Sequence, residues 1–95
     1  MRTPLTAEAL ESARRALPLW EISDQAVRRE LTFVDFAQAI GFVTRISILA
    51  EKMDHHPDID IRYRNVVISL RTHDVGAVTD WDIRLADQIE AALTT

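Results

Sequence analysis

The sequence predicts an α+β domain: a four-stranded antiparallel sheet with helices packed on one face, in the order α-β-β-α-β-β-α. Three observations predict it. Short runs of alternating apolar and polar residues come in adjacent pairs, each pair joined by a turn signal, which is how hairpins read. Apolar residues recur at helical spacing in three other segments. Only two glycines and three prolines punctuate 95 residues, which leaves little chain for loops. Hairpins separated by helices favour an antiparallel sheet covered on one side. The whole chain, 1–95, reads as a single domain.

Thr6 is placed to cap a first helix over 7–16, with Glu8 and Glu11 near its positive end. Leu10, Ala13 and Leu17 mark its apolar side, and Pro18 ends it. A short strand over 19–22 follows. Ser23-Asp24-Gln25 is a turn signal. Val27, Arg29, Leu31 and Phe33 then alternate with their neighbours as a second strand, hairpin-paired with the first. Thr32 is expected to cap a long helix over 33–52, with Asp35 at its third position. Phe36, Ile40, Val43, Ser47 and Ala50 form one row of that helix, and Phe42, Ile46, Leu49 and Met53 another. So wide an apolar arc exceeds what a surface helix of a monomer needs. One row is expected to cover the sheet and part of the other to meet a second subunit. Ile59, Ile61 and Tyr63 alternate with polar residues, as do Val66, Ile68 and Leu70 beyond them. Arg64-Asn65 is the expected turn, because Asn tolerates a left-handed backbone. Thr79 caps a last helix over 80–93, with Asp82 at its third position.

Composition narrows the function. Apolar residues make up 47% and charged residues 27%, an ordinary globular balance. Net charge is −4 and the basic residues are scattered, which argues against direct nucleic-acid binding. No apolar run approaches the roughly 18 residues of a membrane span. The N-terminal residues lack the apolar core of a secretory signal. With no cysteine there is no thiol nucleophile or disulfide, and a cytoplasmic location fits. A chain this small buries only roughly 60–65% of its extended surface, so self-association to a homodimer or homotetramer is expected.

All three histidines fall between positions 55 and 73. The predicted hairpin between them folds Asp54-His55-His56-Pro57-Asp58 back onto Thr72-His73-Asp74. The histidines should therefore meet in one cleft, each beside a carboxylate. Imidazoles are the side chains that exchange protons near neutral pH without a large shift, so acid–base chemistry is indicated. Pro57 biases His56 to an extended backbone, which ends the long helix near 52–54. Adjacent side chains then point to opposite sides, and His55 and His56 should play different parts. The bland alternatives stay open. A strand-end histidine is more often a surface residue, and a histidine pair in a loop can be merely solvated. A metal site is weaker still, since no familiar ligand spacing is present. Asp82 heads an apolar row with Leu85, Ala86, Ile89 and Leu93. It either caps its own helix or points into a pocket, and spacing alone favours the cap.

From about Trp20 onward the chain resembles the pterin-4a-carbinolamine dehydratases, also known as dimerisation cofactors of a homeodomain factor. Glu51-Lys52-Met53-Asp54-His55-His56-Pro57-Asp58, Tyr63, Leu70-Arg71-Thr72-His73-Asp74 and Asp82-Ile83 carry the likeness, with Phe36 and Gly41-Phe42-Val43-Thr44-Arg45 in the long helix. The resemblance implies dehydration of 4a-hydroxytetrahydropterin to quinonoid dihydropterin, the recycling step after an aromatic amino-acid hydroxylase. It implies no metal and no bound organic cofactor, the pterin being the substrate. It makes His55 and His73 the acid–base pair, with His56 assisting and Asp82 orienting a histidine. It makes Glu51, Asp54, Thr72 and Asp74 line the pterin site, and Trp20 close it. Ile59 and Ile61 stand where the family often carries an aromatic residue and an asparagine, a packing change on the apolar face of the strand. The competing reading is a non-catalytic dimerisation or assembly module on the same fold, binding a protein partner.

Overall fold

The computed structural model describes residues 2–94. Its elements are α1 (Ala7–Ala16), β1 (Glu21–Ile22), β2 (Val27–Thr32), α2 (Phe36–Met53), β3 (Asp58–Arg62), β4 (Asn65–Leu70) and α3 (Asp80–Leu93). That is the expected α-β-β-α-β-β-α order. The four strands form one antiparallel sheet in the order β1-β2-β4-β3, so both hairpins form and then join through β2 and β4.

The register puts the apolar strand residues on one face, Val67 excepted. Val27 lies opposite Leu70, Leu31 opposite Val66, and Ile59 opposite Ile68. Val27, Val66, Ile68 and Leu70 are fully buried, under Ala39, Phe42, Ile46 and Ala50 of α2 and Leu85, Ala86 and Ile89 of α3. Ile59 and Ile61 pack at the margin of that core, as apolar replacements should. The opposite face carries Arg28, Glu30, Asp60, Arg62 and Asn65. The period of two therefore separates core from solvent.

Two local expectations fail for the same reason: strand pairing claims the residues first. Thr32 does not cap the long helix. It is the last residue of β2, paired with Asn65, and Phe33 N–H donates to Arg64 O at 3.0 Å. The cap is Asp35, whose carboxylate accepts from Gln38 N–H at 2.8 Å, so α2 starts at Phe36 and not at Phe33. Phe33 instead stacks on Phe42, with ring centroids 5.1 Å apart. Likewise Arg64-Asn65 is not the turn. Asn65 belongs to β4, opposite Arg62, and its side-chain oxygen accepts from Thr32 Oγ1. The two turn residues are Tyr63 and Arg64, and the left-handed one is Tyr63, at φ 55°. A hairpin turn with positive φ at its first position favours glycine there. Because the Tyr63 side chain is exposed, Tyr63→Gly should raise stability by roughly 0.5–1 kcal/mol, read as a higher urea midpoint at unchanged m-value.

The outer face of α2 is unusually apolar. Phe36, Ile40 and Ile48 are 52%, 37% and 56% exposed. Among the described residues no helix is long and apolar enough to cross a membrane.

Candidate active site

The end of α2 sets the site. Asp54 takes a left-handed conformation, φ 50°, and closes the helix. Asp54 N–H donates to Glu51 O and His55 N–H reaches back to Ala50 O, both at 3.1 Å, which is the bonding of a Schellman motif. The turn swings the chain inward, and extended His55 and His56 then face opposite ways. His55 is 4% exposed and His56 lies in solvent.

His55 Nε2 lies 2.5 Å from Asp82 Oδ1. Asp82, fully buried in the first turn of α3, uses its other oxygen twice. Oδ2 accepts from Thr79 N–H and from Thr72 Oγ1, each at 2.9 Å. Thr79 and Thr72 are also buried, and their hydroxyls lie 2.7 Å apart. Capping and orienting were alternatives from spacing, yet Asp82 does both: one oxygen completes the capping box of α3 and the other holds a histidine. A carboxylate in this position fixes the proton on His55 Nε2 and leaves Nδ1 for exchange.

The turn beyond β4 brings in the third histidine. Thr72 and Ala77 bridge, and Gly76 N–H donates to Thr72 O at 3.0 Å. Gly76 adopts φ 64°, a conformation that costs other residues about 1 kcal/mol. His73 is carried exposed on this turn. His55, His56 and His73 together line one polar cleft of about 250 Å³, with Arg2, Asp54, Arg71 and Asp74. The hairpin thus does bring the two ends into one place.

The remaining site residues divide. Asp54 and Asp74 line the cleft as expected. Glu51 stands on its far side, where its carboxylate pairs with His56 Nε2 at 2.6 Å; it lines an adjoining groove of about 670 Å³ with Ile48, Pro57 and Ile59. Thr72 does not line the cleft. It is fully buried behind it, because the inward period of β4 runs on through Leu70 to Thr72, and it serves Asp82. Trp20 is not in the cleft either. It is a core residue 5% exposed, and its indole N–H donates to Glu90 Oε1 at 2.8 Å, an oxygen shared with Arg29. An aromatic just before a two-residue edge strand is buried under the sheet, and only its polar tip needs a partner.

Two cleft residues escaped sequence reasoning. Arg2 arrives because Pro4 bridges Thr79 and Leu5 N–H donates to Val78 O, laying the N-terminal segment along the start of α3. There its guanidinium sits 4.5 Å over the Trp81 ring and donates to Asp54 O. Arg71, next to Thr72, gave no signal beyond its position. Among the described residues no cluster of three or more His, Cys, Asp or Glu has a metal-holding arrangement.

Comparison with known proteins points to one family. A family profile described as pterin 4 alpha carbinolamine dehydratase matches residues 3–92. A protein of Prochlorococcus marinus (strain MIT 9303), named for pterin-4-alpha-carbinolamine dehydratase, is 47% identical over 87 residues, covering 92% of this chain and 91% of its own. A Bradyrhizobium protein (strain ORS 278) of the same name is 48% identical, covering 95% of each chain. The crystal structure of a transcriptional coactivator/pterin dehydratase from Brucella melitensis superposes with a TM-score of 0.87 at 36% identity, over 94% of this chain and 97% of that one. A pterin dehydratase-like protein identified as a RuBisCO assembly factor in the α-carboxysome shares the fold, with a TM-score of 0.61 at 20% identity. With the profile spanning nearly its whole length, this chain belongs to the pterin-4a-carbinolamine dehydratase family.

Proposed function

We propose that this protein dehydrates 4a-hydroxytetrahydropterin to quinonoid dihydropterin by histidine acid–base catalysis, recycling the pterin of aromatic amino-acid hydroxylases in the cytoplasm. The observation that carries the proposal is the cleft in which three imidazoles converge, one of them backed by a buried carboxylate. Water loss breaks the C4a–O bond and removes the N5 proton. The departing oxygen takes one proton and leaves as water, and the N5 electron pair closes the C4a=N5 double bond. One acid and one base suffice, and the reaction consumes no net proton. His55, with Nε2 held by Asp82, offers Nδ1. His73, whose ring has no partner among the described residues, is free to face it across the pterin. His56 steadies the substrate from the open side. Asp54 and Asp74 are the acceptors for the donor-rich pyrimidine edge. No metal and no further cofactor enters this scheme. The test is a coupled assay following decay of the 4a-carbinolamine released by a hydroxylase. Faster decay with this protein is expected, and a decay rate unchanged at micromolar protein would overturn the proposal.

The apolar outer face of α2 favours a homo-oligomer, dimer or tetramer, with a second copy on that face or along the β3 edge. Sedimentation should give a species larger than a monomer at micromolar concentration, and Ile48→Glu should shift it downward if the helix face is used. A clean wild-type monomer would count against assembly. This face also keeps alive the reading of a non-catalytic assembly module. That reading expects a partner or a second copy on α2 and no acceleration of carbinolamine decay, so the same assay separates it from the enzyme.

A further inference from the structure

We infer that Arg71 is a specificity-determining residue of the cleft, whose guanidinium donates to the C4 carbonyl oxygen of the bound pterin and so selects a 4-oxo over a 4-amino ring. The inference rests on the pterin reading of the same site.

Arg71 stands where the chain leaves β4. Leu70 and Thr72 on either side are turned into the core and fully buried, so Arg71 is turned the other way. Its side chain is half-buried, lines the histidine cleft, and lies against the turn, with Nη2 3.6 Å from where a Cβ on Gly76 would stand. Its Nε is enclosed and unpaired, and Arg71 makes no hydrogen bond or ion pair among the described residues. Other arginines differ. Arg14, Arg28, Arg29, Arg62 and Arg84 each hold a carboxylate. A buried N–H without a partner is costly, so a guanidinium kept in this state at the wall of a cleft is poised for an acceptor that enters it.

The neighbours indicate which acceptor. Asp54 and Asp74 share the cleft, yet neither lies within ion-pair distance of Arg71. The cleft therefore presents one donor head and two acceptor heads, kept apart. An anionic ligand would meet two carboxylates. A neutral pyrimidinone matches: its 2-amino group and N3–H are donors, and O4 is its acceptor. Replacing O4 by an amino group sets donor against donor.

The test is equilibrium binding of two dihydropterins with the same uncharged side chain, one 4-oxo and one 4-amino. The wild-type protein should prefer the 4-oxo ring by about tenfold or more, the scale of one charge-assisted hydrogen bond made or lost. Arg71→Ala should lower the ratio about tenfold by weakening the 4-oxo ligand alone, leaving only the preference that the carboxylates have for N3–H, and Arg71→Lys should restore part of it. In turnover, Arg71→Ala should raise KM with kcat little changed. An unchanged ratio in Arg71→Ala, or an equal loss for both rings, would overturn the assignment. So would a loss confined to pterins with an anionic side chain, which would place Arg71 at the substituent. A wild-type protein that binds neither ring and leaves carbinolamine decay unchanged overturns the pterin reading as well. An active Arg71→Ala protein with the wild-type ratio overturns only the role of the arginine.

Discussion

His73→Ala should lower the rate of carbinolamine dehydration by about 10²–10⁴-fold, the range that a positioned proton donor or acceptor contributes. The fold should be untouched. His73 is exposed on the turn after β4 and its ring has no partner among the described residues, so its removal leaves no buried group unpaired. The melting temperature should stay within about 2 °C of wild type, since surface changes away from special features are usually within about 0.5 kcal/mol. His55→Ala should lose as much turnover but also stability. His55 is buried against Asp82, and its truncation strands one carboxylate oxygen in the core, which costs about 1–3 kcal/mol. His73 is therefore the cleaner probe. His56, exposed and paired with Glu51, should matter less than either. A His73→Ala protein that turns over at the wild-type rate would remove this residue from proton transfer and with it the acid–base pair.

Patterns that depend on neighbours in the chain were legible, and those that depend on pairing were not. Thr6 and Thr79 cap α1 and α3 where local chemistry places them. The period of two in β4 names its buried residues, and Pro57 with His56 foretells the end of α2. The start of α2 was misplaced because Thr32 has the chemistry of a cap but is held by β2–β4 pairing. The turn slipped by one residue because Asn65, the better left-handed candidate, is tied to Thr32 across the sheet. The histidine cluster followed from hairpin geometry alone. Trp20 was placed at the cleft by resemblance, and packing under the sheet puts it in the core. Arg2 and Arg71 reach the cleft through a bridge and a tight turn, and no periodicity marks either.

Asp82→Asn should lower turnover by about 10–100-fold and also lower stability, because one side chain carries both functions. The reason lies in its three partners. Thr79 N–H and Thr72 Oγ1 both donate to Oδ2. An asparagine keeps one oxygen, and these two donors hold it there. Its amide N–H₂ then faces His55 Nε2 where a carboxylate oxygen stood. An amide donor is met only by an unprotonated Nε2, so the ring proton moves to Nδ1, the nitrogen left for the substrate. The imidazole keeps its place but presents the wrong tautomer, and the charge that would support an imidazolium is gone. Stability should fall by about 1–3 kcal/mol, as expected when a buried network loses a charged member. Thr79→Ala separates the two functions. It removes the hydroxyl that accepts from Trp81 N–H and bonds Thr72 Oγ1 but keeps the backbone N–H that anchors Asp82, so it should cost about 1–3 kcal/mol and leave most of the turnover. If Asp82→Asn lost stability and kept wild-type turnover, Asp82 would be a cap only, and the orientation of His55 would have to come from the left-handed turn at Asp54. The loss from Asp82→Asn should also stay smaller than that from His55→Ala, since the amide misdirects a proton carrier that the alanine removes altogether.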